Sequence, residues 1–199
     1  MIKQFLKVLM SSLILMVFMV TSSVASPVFS DNFDTDVLAT NQTTFNGGWV
    51  VSGGTVDVIG DPSFYDMLPG NGRYVDLDGS SGQSGFFSKD FSLTAGLVYT
   101  ATFDLAGSQR GGSESVHVQF GDTYANYTLN SGDGFSNYSL SFTPTVTDTY
   151  FLSFQNVGGD NVGALLDNTS VSAVPEPETY AMLLIGLLAV SVYSSKRNK

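Results

Sequence analysis

The chain has 199 residues, a formal net charge of −10, no cysteine and one histidine. Without cysteine it can form no disulfide and has no thiolate chemistry, and a single histidine cannot build a His-rich zinc site. The excess of acidic residues argues against nucleic acid and anionic lipid as partners.

The first 25 residues have the pattern of a secretory signal peptide. Lys3 and Lys7 precede an uncharged, mostly apolar run over 8–20, and small residues follow at Ser23 and Ala25. This order matches the basic, apolar and cleavage regions of such signals. The run is short for a membrane span. We therefore predict an N-terminal signal helix that is cleaved after Ala25.

Residues 26–173 predict a single all-β domain. Apolar and polar residues alternate in the stretches 97–105, 116–120, 138–143 and 150–154. A period of two with one polar face is typical of antiparallel strands that share a core. Glycine-rich segments separate these stretches, and no window before the tail has helical periodicity. The pattern predicts a two-sheet antiparallel β-sandwich.

The motifs of the common enzyme classes are missing from this domain. There is no Gly-x-Ser-x-Gly sequence, and a Ser-His-Asp unit would have to use His117 as its base. The glycine-rich segments lead into no helix, so they do not form a phosphate-binding loop. A glycosidase carboxylate pair stays formally open, although no spacing selects one. We predict that the protein is not an enzyme.

Five side chains are candidates for ligand contact, and each has a structural alternative. Trp49 could stack on a sugar ring or belong to the core. Tyr124 and Tyr127 lie in an Asn- and Gly-rich stretch, where amphipathic rings serve polar binding faces or pack at edges. His117 lies between two valines of a strand and should point outward, where Arg110 could join it; an exposed histidine can also be merely solvated.

The last 26 residues, 174–199, have a three-part organisation. Pro175 and Pro177 alternate with glutamates and should interrupt any strand or helix. An apolar run over 180–193 follows, and as a helix it would span ~21 Å, against ~30 Å for a hydrocarbon core. Basic residues end the chain and favour the cytoplasmic side. We predict a short transmembrane helix over 180–193; a final core helix is the alternative.

Val174, Pro175, Glu176 and Pro177, with the apolar run and the basic end, resemble the PEP-CTERM sorting signal of Gram-negative bacteria. The resemblance implies that these four residues are a recognition site for an exosortase, a membrane-embedded processing enzyme. It also implies export through the inner membrane, transient anchoring there by the helix, and release to the cell surface or extracellular matrix. Members of this family often accompany exopolysaccharide and biofilm genes.

The domain itself resembles galactose-binding-like, carbohydrate-module-like jelly rolls over about 29–172. The resemblance rests on short motifs, among them Asn32-Phe33-Asp34, Gly48-Trp49 and the closing segment 164–171. It implies that the first and last strands meet at one end of the sandwich and commonly hold a structural calcium ion. Asp34 and Asp167 match the acidic positions of those strands, and carboxylate oxygens suit calcium. The alternative is a turn cap at Asp34 and a solvated Asp167.

Two functions remain open for the exported domain. One is non-catalytic polysaccharide binding, which an exposed aromatic platform beside hydrogen-bonding groups would favour. The other is a structural biofilm or coat component with protein contacts and no small ligand, which a flat hydroxyl-covered face would favour. Such a face is predicted by the outward residues Thr100, Thr102, Ser139, Ser141 and Thr143.

Overall fold

A computed structural model describes residues 27–62, 65–174, 184–188, 190, 191 and 193. The predicted signal peptide and the three sorting residues 175–177 lie outside these residues. Within them, twelve strands follow one another in chain order: β1 (Pro27–Asp31), β2 (Ala39–Gln42), β3 (Val50–Ser52), β4 (Val56–Gly60), β5 (Arg73–Asp76), β6 (Phe86–Leu93), β7 (Val98–Ala106), β8 (Ser113–Phe120), β9 (Thr123–Asn130), β10 (Ser136–Phe142), β11 (Asp148–Asn156) and β12 (Leu165–Val174).

The strands form two antiparallel sheets that pack face to face. The seven-stranded sheet has the order β10-β7-β12-β5-β4-β2, and β1 also pairs with β12. The five-stranded sheet has the order β3-β6-β11-β8-β9. Neighbours in both sheets are mostly distant in the chain, so the sandwich depends on long-range pairing. The predicted all-β sandwich is confirmed.

The period-two pattern is the reason why these segments are strands. In β7, Tyr99, Ala101, Phe103 and Leu105 are buried, while the residues between them are half-exposed. In β8 the same alternation buries Val116, Val118 and Phe120. Since successive side chains point to opposite faces, each strand gives one apolar row to the core between the sheets. The faces predicted from the sequence are those observed.

The first and last strands meet, as the resemblance to jelly rolls implies. β1 pairs with the second half of β12, from Pro27 opposite Ser172 to Asp31 opposite Thr169. The first half of β12 pairs with β5 on the same side, so β1 and β5 lie end to end. A bulge interrupts the β12–β7 register between Asp167 and Ser170, where Asn168 has φ 47°. Bulges of this kind re-aim side chains locally.

Loops join the strands at both ends of the sandwich. We call the loop end the end formed by the β5–β6, β7–β8 and β11–β12 connections. The opposite end carries the β8–β9 turn, where Phe120 pairs with Thr123 and only Gly121 and Asp122 lie between them. Gly121 has φ 56°, as the first central position of a type II′ turn requires. The eight residues of β8 therefore separate the two ends by roughly 25 Å at ~3.3 Å per residue.

The described positions of the C-terminal run are helical, namely 184–188, 190, 191 and 193. They lie within the predicted short helix 180–193. Of the helices in the described ranges, none has the length and apolar character needed to cross a membrane.

Candidate functional site

The β8–β9 hairpin presents an aromatic ring and two polar side chains on the outer face of the five-stranded sheet. Tyr124 is 66% exposed. The ring of His117 lies 5.6 Å from that of Tyr124, centroid to centroid, with the planes tilted by 34°. His117 Nδ1 lies 2.8 Å from Asn126 Oδ1, an oxygen that can only accept, so Nδ1 donates. We call Tyr124, His117 and Asn126 the hairpin platform.

Sheet register explains why these three residues meet. His117 pairs directly with Asn126, and Tyr124 pairs with Gln119, two residues further along β8. All four side chains therefore point to the same face and lie on adjacent rows. Gln119 donates from Nε2 to the carbonyl of Gly121 at 2.8 Å. The hairpin places amide groups on both sides of the rings.

The same outer face continues onto β11 and β6 with two further rings. Phe86 and Phe151 are half-buried and contact each other edge to face at 5.9 Å. Ser153, which pairs with Ser88 and Gln119, is buried although it belongs to the outer face. Gln155 pairs with His117 and is exposed. Aromatic rings and amides thus share this face, a combination that suits sugar rings and their hydroxyl groups.

Two of the predicted ligand residues lie inside the sandwich instead. Trp49 is 2% exposed, its ring stacks on Phe87 at 4.5 Å, and its Nε1 donates to Asp31. The core interpretation of Trp49 is thereby confirmed. Tyr127 packs against Tyr138 at 4.7 Å, and burial raises its pKa. Trp49 therefore belongs to the core, and Tyr127 is partly buried against it.

Arg110 lies at the loop end, far from the hairpin platform. Its guanidinium forms an ion pair with Asp76 and donates to the carbonyl of Asn161 at 2.6 Å. Arg110 lines a cavity of about 90 Å³ whose wall combines polar, charged, aromatic and aliphatic side chains. The lining residues are Asp57, Ile59, Tyr65, Met67, Asp76, Ser80, Arg110 and Asn161. The structure therefore separates Arg110 from His117 and Tyr124.

Several carboxylates are buried around this cavity. Asp76 is 2% exposed, and burial raises its pKa to about 7 although Arg110 lowers it. Burial also raises the pKa of Asp78 and of Glu114. Asp78 Oδ1 is buried and has no hydrogen-bond partner. One guanidinium therefore faces a group of acids that burial has left difficult to ionise.

Asp34 and Asp167, the predicted calcium ligands, are close enough for the charge of Asp34 to act on Asp167. Burial raises the pKa of Asp167 to about 7, and Asp34, Asp104 and Asp31 raise it further. Asp34 accepts hydrogen bonds from the Arg73 backbone N–H at 2.8 Å and from the Asn32 amide. Over the described ranges, no three acidic or histidine side chains are grouped to hold a metal ion. The negative charge around Asp167 suits a cation. The ligands of such a cation would have to include backbone carbonyls or water.

A broad groove of about 450 Å³ lies beside these acids on the outer face of the seven-stranded sheet. It is lined by polar residues of β1 and β12, namely Ser30, Asp31, Asn32, Asn168, Thr169 and Ser170. Hydroxyl pairs extend from it across the sheet, with Thr102 and Ser170 at 2.8 Å and Thr100 and Ser141 at 2.9 Å. The predicted hydroxyl-covered face thus exists. Among the described residues that line this groove there is no aromatic ring, in contrast to the hairpin platform.

The model of a family described as "Protein of unknown function (DUF642)" matches residues 24–172. No curated protein matches the chain. Among solved structures, the CBM22-1 xylan-binding domain of Paenibacillus barcinonensis is similar at 13% identity and a TM-score of 0.51, over 78% of this chain and 99% of that one. This similarity supports the jelly-roll type of sandwich.

Two further structures are similar at lower TM-scores. A Clostridium thermocellum xylanase containing CBM22-1 and GH10 modules has 15% identity and a TM-score of 0.48, over 77% of this chain and 29% of that one. The CBM22-1-CBM22-2 tandem domain of Paenibacillus barcinonensis has 14% identity and a TM-score of 0.47, over 79% and 49%.

Several residues of these sites cannot be recognised from the sequence alone. Asn126 lies opposite His117, and this pairing follows only from the β8–β9 register. Asp57, Asp76 and Tyr65 come from three separate segments and meet at the cavity through folding alone. The one local signal was the alternation of Asp76 and Asp78 with buried Val75 and Leu77.

Proposed function

The chain belongs to the DUF642 family, and we propose that its β-sandwich is a non-catalytic module that binds polysaccharide through the hairpin platform. The observation that carries this proposal is the exposed ring of Tyr124 beside His117 and Asn126. A sugar ring has an apolar face of C–H groups and an edge of hydroxyl groups, so it needs a ring to stack on and amides beside it.

The platform meets both needs. Tyr124 offers one open ring face, and stacking of this kind is worth about 0.5–1.5 kcal/mol beyond the area it buries. His117 donates from Nδ1 to Asn126, which leaves Nε2 free to accept from a sugar hydroxyl. The side-chain amide of Asn126 retains its two N–H donors for the same ligand. Phe86 and Phe151 extend the apolar surface along the sheet.

The geometry of His117 also supports a role without catalysis. A catalytic histidine in a Ser-His-Asp unit is oriented by a carboxylate, whereas His117 Nδ1 is held by an amide oxygen. The buried carboxylates Asp76 and Asp78 lie at the loop end, whereas the platform lies on the outer face of β8 and β9. A glycoside-acting enzyme is therefore the weaker proposal.

The test is binding of the purified full chain to a panel of polysaccharides, measured by affinity electrophoresis for soluble ones and by co-sedimentation for insoluble ones. Xylan is one probe, because the similar Paenibacillus domain is described as xylan-binding; cellulose, mixed-linkage β-glucan and mannan complete the panel. At least one should bind, and Tyr124→Ala should weaken binding about tenfold, the loss of roughly 1.4 kcal/mol of stacking.

Val37→Ala is the matched control, because Val37 is also 66% exposed but lies in the β1–β2 connection. It should bind like the wild-type chain, and Tyr124→Phe should keep most of the affinity because it keeps the ring. Equal affinity of Tyr124→Ala and wild type, or no binding to any polysaccharide, contradicts the proposal.

A structural role in a biofilm or coat is the second candidate function. The hydroxyl pairs Thr100–Ser141 and Thr102–Ser170 favour it, because they form a regular polar surface without an aromatic ring. Protein contacts of this surface should be sensitive to Thr102→Lys, which would place a charge at its centre. Loss of matrix incorporation by that variant, with polysaccharide binding absent in the wild type, would favour this function.

We further propose the cellular route that the termini suggest. The signal peptide 1–25 directs export through the inner membrane, the helix over 180–193 anchors the precursor there, and an exosortase processes it at the PEP-CTERM residues Val174, Pro175, Glu176 and Pro177. The product reaches the cell surface or extracellular matrix of a Gram-negative bacterium. The strongly acidic domain, with 16 acidic and three basic residues over 27–174, supports a secreted and soluble product.

A structural calcium ion near Asp34 and Asp167 completes the proposal. What supports it is that the pKa of Asp167 is raised first by burial and then by the charges of Asp34, Asp104 and Asp31, so negative charge accumulates around this carboxyl group. Calcium prefers six to eight oxygen ligands, and carboxylates and carbonyls provide them. When bound, the ion would neutralise these charges and hold β1 against β12.

A further inference from the structure

The cavity at the loop end is separate from the hairpin platform. Arg110 lies in the connection before β8, whereas Tyr124 follows the turn after β8. Tyr124 pairs with Gln119, six positions after Ser113, where β8 begins. Roughly 20 Å of strand therefore lies between the cavity end of β8 and Tyr124. A ligand of the cavity therefore does not touch Tyr124, and any function of the cavity stands independently of polysaccharide binding at the platform.

The polar groups of the cavity are held in place before any ligand arrives. Asp57 Oδ1 accepts from the backbone N–H groups of Asn41 and Ser80, and Oδ2 accepts from the Ser80 hydroxyl at 2.6 Å. Asp76 accepts from the Asp78 N–H at 3.1 Å and from Arg110. Each carboxylate can accept about four hydrogen bonds, so both retain capacity toward the cavity.

The balance of charge in the cavity is negative. Two carboxylates, Asp57 and Asp76, line it with a single guanidinium, and Asp78 is close enough to act on Asp76. The other basic side chains over 27–174 are engaged elsewhere, because Arg73 donates to the Asp36 carbonyl and Lys89 lies over the Phe29 ring at 4.7 Å. An anionic ligand would be repelled here, and a cation would be attracted.

The remaining wall is aromatic and aliphatic. Tyr65 is 44% exposed at the cavity, and Met67 and Ile59 contribute apolar surface. A bare metal ion or a simple ammonium would leave most of this apolar wall without contact. A ligand that combines a cationic group, hydroxyl groups and an apolar face uses all of it.

We propose that this cavity binds one residue of an amino sugar whose amino group is free, such as the units of a deacetylated hexosamine polymer. The ammonium donates to Asp57 and Asp76, a ring hydroxyl accepts from the unused N–H groups of Arg110, and the C–H face of the ring lies against Tyr65. The cavity volume of about 90 Å³ admits part of one sugar unit rather than a chain segment. Burial raises the pKa of Asp76, and a bound ammonium would offset that cost by favouring its ionised form.

The experiment compares three monosaccharides of similar size and different charge by saturation-transfer NMR with the purified full chain. Glucosamine should bind. N-acetylglucosamine should bind at least about tenfold more weakly, because its acetylated nitrogen is uncharged and loses the charge-assisted hydrogen bonds. Glucuronate should not bind, because the carboxylates of the cavity repel its carboxylate. Asp76→Asn should weaken glucosamine binding by about the same factor.

Asp122→Asn is the matched control, since it removes one acidic charge from the exposed turn at the opposite end. It should bind glucosamine like wild type. Near-UV circular dichroism checks the fold of Asp76→Asn, and Tyr65→Ala, a change in a half-exposed side chain, gives a second measurement if that variant unfolds. Equal binding of glucosamine and N-acetylglucosamine, no binding of either, or unchanged binding by folded Asp76→Asn or by Tyr65→Ala overturns the proposal.

Discussion

At the scale of single residues, parity along a strand decides the role of a side chain. Tyr124 and Tyr127 are both in β9 and three residues apart, so they point to opposite faces. Tyr124 is exposed beside His117, and Tyr127 packs on Tyr138 and Phe103. Two tyrosines with the same local composition therefore differ in position: Tyr124 lies on the surface, and Tyr127 packs against the core.

Asp167 offers a residue-scale prediction on pH. Its pKa is raised from 3.8 to about 7 in the folded chain, mainly by burial and then by Asp34, Asp104 and Asp31. The stabilisation from the neutral carboxyl is therefore complete below pH 3.8 and is lost as the pH rises through 7. Asp167→Asn, which cannot ionise, should be more stable than wild type at pH 8 by roughly 1–3 kcal/mol.

Thermal melts from pH 5 to pH 8.5 in the presence of a chelator measure this effect. The difference between the two chains should shrink toward pH 5, and Asp122→Asn should follow the wild-type curve. A variant that melts below wild type at pH 8 would contradict this prediction. Adding calcium at pH 8 should then raise the melting temperature of wild type and leave Asp167→Asn unchanged, because only the folded wild type has the complete site.

At the scale of elements, the β8–β9 turn holds the hairpin platform in register. Gly121 has φ 56°, and a Cβ atom added there would lie 2.6 Å from Cζ of the Phe142 ring. The Phe142 ring, at the end of β10 in the facing sheet, therefore packs so closely against the turn that a side chain at position 121 would displace it. The position of Tyr124 depends on this contact, because Tyr124 follows the turn by two residues.

Gly121→Ala should lower the free energy of unfolding by about 1–3 kcal/mol, through strain at positive φ and the collision with Phe142. Denaturant unfolding followed by the fluorescence of buried Trp49 measures it. Gly132→Ala should change stability little, because Gly132 lies in the β9–β10 connection and a Cβ atom added there would meet nothing within 4 Å. Equal stability of the two variants would mean that the turn tolerates a side chain.

At the scale of the whole molecule, the two ends of the domain meet at one place. Pro27 pairs with Ser172, so the start of the first strand and the end of the last are neighbours. The predicted cleavage site after Ala25 and the predicted sorting residues from Val174 onward therefore flank the same end of the sandwich. Both processing steps would occur on the side of the domain that faces away from the loop-end cavity.

The route of export yields the whole-molecule prediction. In the native host, Pro175→Ala combined with Pro177→Ala should leave unprocessed precursor in the inner membrane, because the proposed exosortase site is removed. Fractionation with immunoblotting measures the precursor, and mass spectrometry of the wild-type product should find Ser26 as its first residue. Normal maturation of the double variant would mean that the tail is an ordinary anchor or helix.

Much of the fold could be predicted from local patterns. The alternation in β7, β8, β10 and β11 predicted both the strands and their buried faces, because the side-chain period of a strand is two wherever it pairs. The outward position of His117 and the hydroxyl face of Thr100 and Thr102 followed from the same rule. The same rule did not decide whether Trp49 belongs to the core or contacts a ligand, since a tryptophan after two glycines suits both roles.

By itself, the sequence determined the all-β class and which side chains of the clearly alternating strands face inward, because these depend on the periodicity of neighbouring residues. Only the tertiary structure decided which outward residues meet. It brought Asp76 to Arg110 across 34 positions of the chain. It also placed Arg110 at the loop end and His117, only seven positions further on, on the outer face of the five-stranded sheet. Strand pairing in this sandwich is mostly long-range, and no local pattern encodes the partner of a strand.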